Sequence, residues 1–524
     1  MQEAIPQPTS SLEAADPRVA AALRAEAWAG EPFLRDGEDP AEALAEGTAR
    51  RRALDEAIAE MDAGRKAPSP QWKVRYGLLL GLERVLAEPE PTTAAGTSLR
   101  RHQVDALAGM LTELIAASQR YDEPNGNGNG NGNGNGNAAT AEELEQQQVE
   151  DEDEDSTLVV EIEDAELPEE PVQDDPGAIR RYRFRHPTAS GKTIAAAGFV
   201  EAARTLGVLI LTHRRLLVSQ FTRDLTTEGY GKRFTDVITK DSRSAKQAPL
   251  TIQTYAWFAR HVDSIDRDAY QLVICDEAHT ALGEKTSAAI RSFPEPIYIG
   301  MTATEQLIAK QVSDVFPASV DDLPLQDAAR RGLIAPLRDL RVPPVAAVNS
   351  VPIVGGDFDQ EILAKTLDHQ ALNMAAASLY RERFDNTPGI VYAAGVDHAY
   401  NLATEFRAAG IKAEAVSGRT PPVRLAETLA AYERGEINVL INAQLLAEGW
   451  NSPRATVCMH LAPTASRRVY QQRIGRIMRL HPRKEAGIVV DFVPKGATHN
   501  ERVVSLHSLL DADFYREEIG RAHV

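Results

Sequence analysis

Three short clusters in this sequence of 524 residues combine side chains suited to phosphate chemistry. The first is His186-Pro187-Thr188-Ala189-Ser190-Gly191-Lys192-Thr193. Between a strand and a helix, such a loop offers backbone N–H groups and a helix N-terminus to a polyphosphate. Lys192 then reaches the terminal phosphates and the Thr193 hydroxyl ligates Mg²⁺. His186 stands where this loop pattern usually begins with Gly, and a Ser-Gly-Lys-Thr string also occurs by chance. The second cluster, Leu272–His279, is a branched apolar run that ends in Asp276 and Glu277. Asp276 could hold Mg²⁺ through water, and Glu277 could orient or deprotonate an attacking water. An ordinary helix N-cap with a neighbouring acid is the competing explanation. The third cluster is Tyr470–Arg479, in which Arg473, Arg476 and Arg479 recur every three residues. A helix would place them on neighbouring positions of one side, where a solvated basic face is the common outcome. Gly475, poor helix material, instead signals close approach to another group. Arginines so placed suit a reach across to a γ-phosphate, a contribution of about 10³–10⁵ in rate.

The elements that must carry these clusters form two series. Short β-rich runs lie at Tyr182–Phe184, Val208–Leu211, Leu272–Cys275 and Ile297–Ile299, and again at Ile390–Tyr392, Val439–Ile441, Val457–His460 and Ile488–Phe492. Near-continuous apolar strands alternating with helices predict two α/β domains, each a parallel sheet covered on both faces. Carboxylates that end such a strand sit at the sheet edge where ligands bind. The division predicted is a helical accessory region over 1–95, a first domain over 96–325, a second over 326–517, and a join near Ala318–Leu325. In the accessory region Asp39-Pro40 predicts a cap for a helix through Ala41–Met61, and Trp72–Leu86 has helical spacing. Residues 121–179 interrupt the first domain with an Asn-Gly repeat and an acidic run, predicted to be a disordered, looped-out tether.

The net charge of −19 is misleading. Residues 121–179 contain 19 acids and no Lys or Arg, so the rest holds 57 acidic and 57 basic side chains. Without the first 95 residues as well, 40 acids face 46 bases, a balance compatible with nucleic acid. The two cysteines, Cys275 and Cys458, exclude a disulfide scaffold and a cysteine-built zinc site. No apolar run approaches the ~20 residues of a membrane span, and the N-terminus lacks a secretory pattern. A soluble, cytoplasmic protein without a membrane partner is expected.

Taken in order, the motifs resemble those of superfamily 2 helicase-type ATPases of the DEAD/DEAH-box class, most closely the group of type III restriction-enzyme motor subunits and DNA repair translocases. Leu99-Arg100-Arg101-His102-Gln103 resembles the adenine-reading segment, and the two motifs described first resemble motifs I and II. Leu211–Arg215 and Thr251–Thr254 resemble motifs Ia and Ib, Gly300–Thr304 motif III, Asn442–Pro453 motif V, and Gln472–Arg479 motif VI. The resemblance implies two tandem RecA-like domains that clamp ATP and Mg²⁺ between them. It implies nucleotide contacts from Arg100, Gln103, Thr188–Thr193, Gly449, Asn451 and Arg473. Lys192, Asp276, Glu277, Arg476 and Arg479 would be catalytic, with Thr193 and Asp276 at the metal. Thr212, Arg214, Thr254 and Gly449 would grip nucleic acid, DNA in preference to RNA, in a helicase or translocase. Two alternatives stand beside it: a motor subunit serving a separate nuclease or repair partner, and a nucleic-acid-binding scaffold with a weak ATP site. The sequence also departs from the pattern. Ala189 replaces a usual Gly, at a cost of roughly 1 kcal/mol if its φ is positive. Glu305 replaces a Pro, and Asn442 and Asn451 replace Thr and Asp. Finally, Glu518–Val524 matches the peptide encoded by a sequencing adapter, so a non-native tail and a genuine chain continuing past about Glu517 are expected.

Overall fold

The computed structural model describes residues 17–120, 175–242, 248–303, 312–342, 351–354, 357–443, 452–492 and 503–506. The first sheet comprises β1 (Arg181–Arg185), β2 (Val208–Thr212), β3 (Leu250–Thr254), β4 (Leu272–Asp276), β5 (Ile297–Thr302) and β6 (Ala318–Asp322). They lie in the order β3-β2-β4-β5-β1-β6 and every pairing is parallel. The second sheet contains β7 (Leu337–Val342), and a two-residue pair, β8 (Ile353–Val354) with β9 (Asp357–Phe358), follows it in the chain. Its other strands are β10 (Gly389–Tyr392), β11 (Ala413–Val416), β12 (Val439–Asn442), β13 (Val457–His460) and β14 (Gly487–Phe492). Their order is β11-β12-β10-β13-β14-β7, again parallel throughout. Every residue of β2, β4 and β5 is buried, as strands with helices on both faces require.

The first lobe is larger than its sheet. Leu78–Leu80 and Leu82 from the helix Leu78–Ala87, Ala106, Leu107 and Met110 from the helix Arg101–Arg120, and Ile210, Ile274 and Ile299 from the sheet belong to one hydrophobic core. The N-terminal helices therefore pack as an integral layer of this lobe. Gly81 lies directly against the backbone of Ala202, so a side chain at that position has no room. Arg84 donates to the Glu201 carbonyl at 2.7 Å and, with Arg204, flanks the buried carboxylate of Glu31. That double pairing opposes the desolvation of Glu31 without cancelling it, and burial still leaves the carboxyl pKa raised.

Two expectations need correction. The helix expected over Ala41–Met61 is broken: one turn over Pro40–Ala43 ends before Gly47, whose φ is 82°, and Thr48 caps a new helix, Ala49–Asp62, by accepting from Arg51 N–H. The chain leaves the first sheet at Leu323–Pro324, within the segment Ala318–Leu325 where the join was expected, and β6 forms the first part of that segment. The tether expected to reach residue 179 ends earlier, because Asp175 pairs with the buried Arg181 and a helical turn occupies Ala178–Arg180. The rest of that tether, residues 121–174, lies outside the described residues, as does the suspected tail 518–524. Among the described residues, no helix is long and apolar enough to cross a membrane.

Candidate functional site

The first two clusters meet at the carboxyl edge of the first sheet. β1 ends at Arg185, opposite Thr302 at the end of β5, and Asp276 ends β4 on the other side of β5. The loop His186–Gly191 then leads into the helix Lys192–Ala202, capped by Gly191 at φ 93° with no side-chain cap bond. Ala189 has φ 72°, which makes it one of four described non-Gly residues with positive φ. Glu277 is another, at φ 46°. Strained backbone thus falls on both halves of the site, where over-determined surroundings can hold it.

Lys192 Nζ donates to Glu277 Oε1 at 3.2 Å, and His279 Nδ1 lies 3.6 Å from Glu277 Oε2 and 3.4 Å from Thr302 Oγ1. Burial and the Glu277 charge push the Asp276 carboxyl up to about 6. Burial would also raise Glu277, but Lys192 and the two neighbouring histidines outweigh it and hold the group down at about 2. The two carboxylates therefore differ in kind, one reluctant to ionise and one firmly ionised. Tyr255 donates to the Asp276 carbonyl at 2.8 Å and fixes the end of the strand. The Ser190 hydroxyl is buried with no hydrogen-bond partner among the described residues. This unspent polar group, a Lys and a helix N-terminus fit a bound polyphosphate. Thr193 and Asp276 carry the hard oxygen donors that would suit a Mg²⁺ beside that polyphosphate. Among the described residues no cluster of three or more His, Cys, Asp or Glu could hold a metal unaided.

The adenine-reading candidates are tied to the loop. The Gln103 amide donates to Gly191 O at 2.9 Å and accepts from Arg100 N–H at 2.8 Å. His102, which sequence reasoning did not single out, hydrogen-bonds through Nε2 to Ser190 O at 2.9 Å. Its position beside Gln103 was the only available signal. The Arg100 guanidinium reaches Leu333 O at 3.4 Å, a contact toward the second sheet. Thr212 and Thr254 end adjacent strands and face one edge. Their hydroxyls already serve the fold: Thr212 donates to Arg214 O, and Thr254 accepts from Trp257 N–H as a helix cap.

The arginine cluster does not form one helical face. The helix Arg467–Ile474 ends at Gly475, and Arg476 and Arg479 follow in turns and an irregular stretch. Arg473 is buried inside the second lobe, where it donates to Ala462 O at 2.6 Å and lies over the Tyr392 ring at 5.0 Å. The helix is seated by Asp491, which accepts from Tyr470 at 2.6 Å and pairs with His460 at 2.7 Å. Gly475 makes the close approach that its residue type signalled: an added Cβ would meet Thr188 Cγ2 and lie 2.7 Å from Thr188 Cβ. Ala189 likewise packs against the core of the second lobe. The phosphate loop and the arginine segment thus touch across the two sheets. Burial and the adjacent Arg476 charge lower the Arg479 pKa, while Asp224 of the first lobe opposes the shift. Arg479 nevertheless remains a cation at neutral pH. Gly449 and Asn451 lie outside the described residues.

A family described as type III restriction enzyme, res subunit, matches residues 137–307, and one described as helicase conserved C-terminal domain matches 372–481. A protein of Lactococcus phage (isolate 7-9), named only as a 51.5 kDa protein, is 24% identical over 319 residues, 60% of this chain and 66% of that one. IRC3 of Saccharomyces cerevisiae, which carries the name of an ATP-dependent helicase, is 25% identical over 350 residues, 62% of this chain and 49% of that one. A fragment named as the HsdR subunit of a type I restriction enzyme from Vibrio vulnificus superposes with a TM-score of 0.47 at 17% identity, covering 61% of this chain and 62% of the fragment. The chain covers between 49% and 66% of the length of the two sequence relatives. The two matched modules follow one another along the chain, one of the type III restriction res-subunit kind on the first six-stranded sheet and a helicase C-terminal module on the second.

Proposed function

We propose that this chain is an ATP-driven translocase or helicase acting on nucleic acid, DNA in preference to RNA. The observation that carries the reading is the contact of Gly475 with Thr188, which brings the segment of Arg476 and Arg479 against the phosphate loop of the other lobe. ATP held by that loop would have Lys192 on its terminal phosphates. Mg²⁺ held by the Thr193 hydroxyl, and by Asp276 through water, would neutralise charge on the same oxygens. Glu277 orients the attacking water and takes its proton as the bond to the leaving phosphate oxygen breaks, giving ADP and phosphate. The 3.2 Å pair of Lys192 with Glu277 supports a change of partner on binding. When the phosphates draw Lys192 away, Glu277 loses its main stabilising charge and becomes a stronger base. Arg476 and Arg479 would face the charge that develops on the transferred group. Opening and closing of the two lobes then moves the strand, gripped near Thr212, Arg214 and Thr254 through contacts to its backbone.

DNA is favoured by the kinship of the first module with restriction enzymes. The same match favours a second reading, a motor subunit working beside a separate nuclease. The test is ATP turnover with single-stranded DNA, duplex DNA and RNA. DNA should stimulate the native chain, and Lys192→Ala and Glu277→Gln should each lose at least about 10²-fold of that rate. No stimulation by any polymer would refute the reading.

A further inference from the structure

The phosphate loop is rooted by a residue of unusual type. His186 occupies its first position, and the ring is fully buried. Nε2 lies 2.6 Å from Asp321 Oδ2, while Nδ1, also buried, has no hydrogen-bond partner among the described residues. A neutral ring carrying its proton on Nε2 satisfies both facts. It donates to the carboxylate and leaves only a lone pair on Nδ1, whereas a charged ring would bury a second N–H without an acceptor. The ring packs on Phe184 at 4.7 Å and on His102 at 5.1 Å, and His102 holds the Ser190 carbonyl of the same loop.

Asp321 lies on β6, the last strand before the chain crosses to the second lobe. Its neighbour Asp322 takes both ends of the Arg185 guanidinium, at 2.5 and 3.0 Å. Leu323 N–H then donates to Arg185 O at 2.8 Å, and the Leu323 side chain is buried in the core of the second lobe. Three successive residues thus fasten the start of the crossover to the two residues at the root of the phosphate loop. We propose that His186 and Asp321 form a positioning pair that couples the phosphate loop to the crossover, so that a shift of the loop on nucleotide binding or release is passed to the second lobe. This rests on the motor reading given above. It assigns to the pair neither nucleotide contact nor chemistry.

The test uses the full chain with Asp321→Ala, Asp321→Asn, His186→Ala and the double Asp321→Ala/His186→Ala variant. ATP turnover is measured with and without single-stranded DNA, alongside the thermal midpoint. Asp321→Ala should keep KM for ATP and basal kcat within about twofold, while DNA-stimulated kcat falls at least about tenfold. Asp321→Asn, which can still accept from Nε2–H, should recover more than about half of the stimulation. The double variant should be no worse than His186→Ala alone, within about twofold, because the pair acts as a unit. Stimulation of Asp321→Ala equal to that of the native chain overturns the proposal. So do equal losses of basal and stimulated rate, or losses that multiply in the double variant. A native chain that no polymer stimulates overturns the motor reading and the coupling with it; a stimulated native chain with an equally stimulated Asp321→Ala overturns the coupling alone.

Discussion

Replacing Gly475 by Ala separates the stability of the second lobe from its engagement with the first. Gly475 has φ −54° and ψ −23°, helical values that any residue adopts. Within its own lobe the substitution should therefore be neutral, or stabilising by roughly 0.4–1 kcal/mol through the unfolded chain. The obstacle lies across the interface. The new Cβ would lie 2.7 Å from Thr188 Cβ. Carbon atoms prefer roughly 3.5–4.0 Å, so the two segments must part by about 1 Å. Thr188 Cβ is attached to the loop backbone, and no rotamer change moves it. A displacement of that size at a reacting centre costs on the order of 10²-fold in rate. Steady-state ATP turnover should accordingly fall by about 10–100-fold, with a thermal midpoint equal to or above that of the native chain. Adding Thr188→Ser removes the nearer methyl and should restore part of the rate. Native turnover in Gly475→Ala would refute the argument, as would a loss of rate that merely follows a loss of stability.

Ala189→Gly should stabilise the chain by about 1 kcal/mol, because a left-handed φ suits Gly and strains Ala; a lower thermal midpoint would show that the methyl contact with the second lobe matters more. Asp276→Asn should abolish Mg²⁺-dependent turnover yet raise the thermal midpoint at pH 8. The folded-state pKa of Asp276, about 6, lies above its ordinary value of 3.8, so the native chain loses stability as pH rises through about 6. At about 1.4 kcal/mol per unit, that ionisation costs at most roughly 3 kcal/mol, and Asn removes it. The difference between the two midpoints should vanish near pH 4; a pH-independent difference would refute this account. Turnover of the native chain should rise with pH across the same window, followed in assays at fixed Mg²⁺.

The strands read from the sequence were mostly those buried on both faces, and the structure extends them by at most three residues: Ile297–Ile299 becomes Ile297–Thr302, and Val457–His460 is unchanged. Strands at the sheet edges escaped notice. β6 and β7 are half-exposed and rich in Asp and Arg, and β11 is four residues with Glu414 at its centre. Their place comes from pairing with a neighbour, which single-sequence periodicity does not carry. Gly475 was legible as a close approach because only contact explains a poor helix former there. The partner, Thr188, lies 287 positions away, and nothing local identifies it. Arg473 misled for the related reason that regular spacing does not reveal where a helix ends. A His in place of the loop's first Gly was visible as a departure, whereas its partner Asp321 required the structure.

The welded N-terminal layer also constrains how such a chain can diverge. Leu206 closes over Gly77, the backbone of Ala202 touches Gly81, and Arg84 reads the end of the helix that begins at Lys192. A bulkier residue at Gly81 would lever that layer off the lobe, one at Gly77 would force the Leu206 side chain to move, and a smaller residue at 206 would leave a gap beneath it. The extension and the helix behind the phosphate loop can therefore change only as a matched set, and neither can be exchanged between distant cousins without the other.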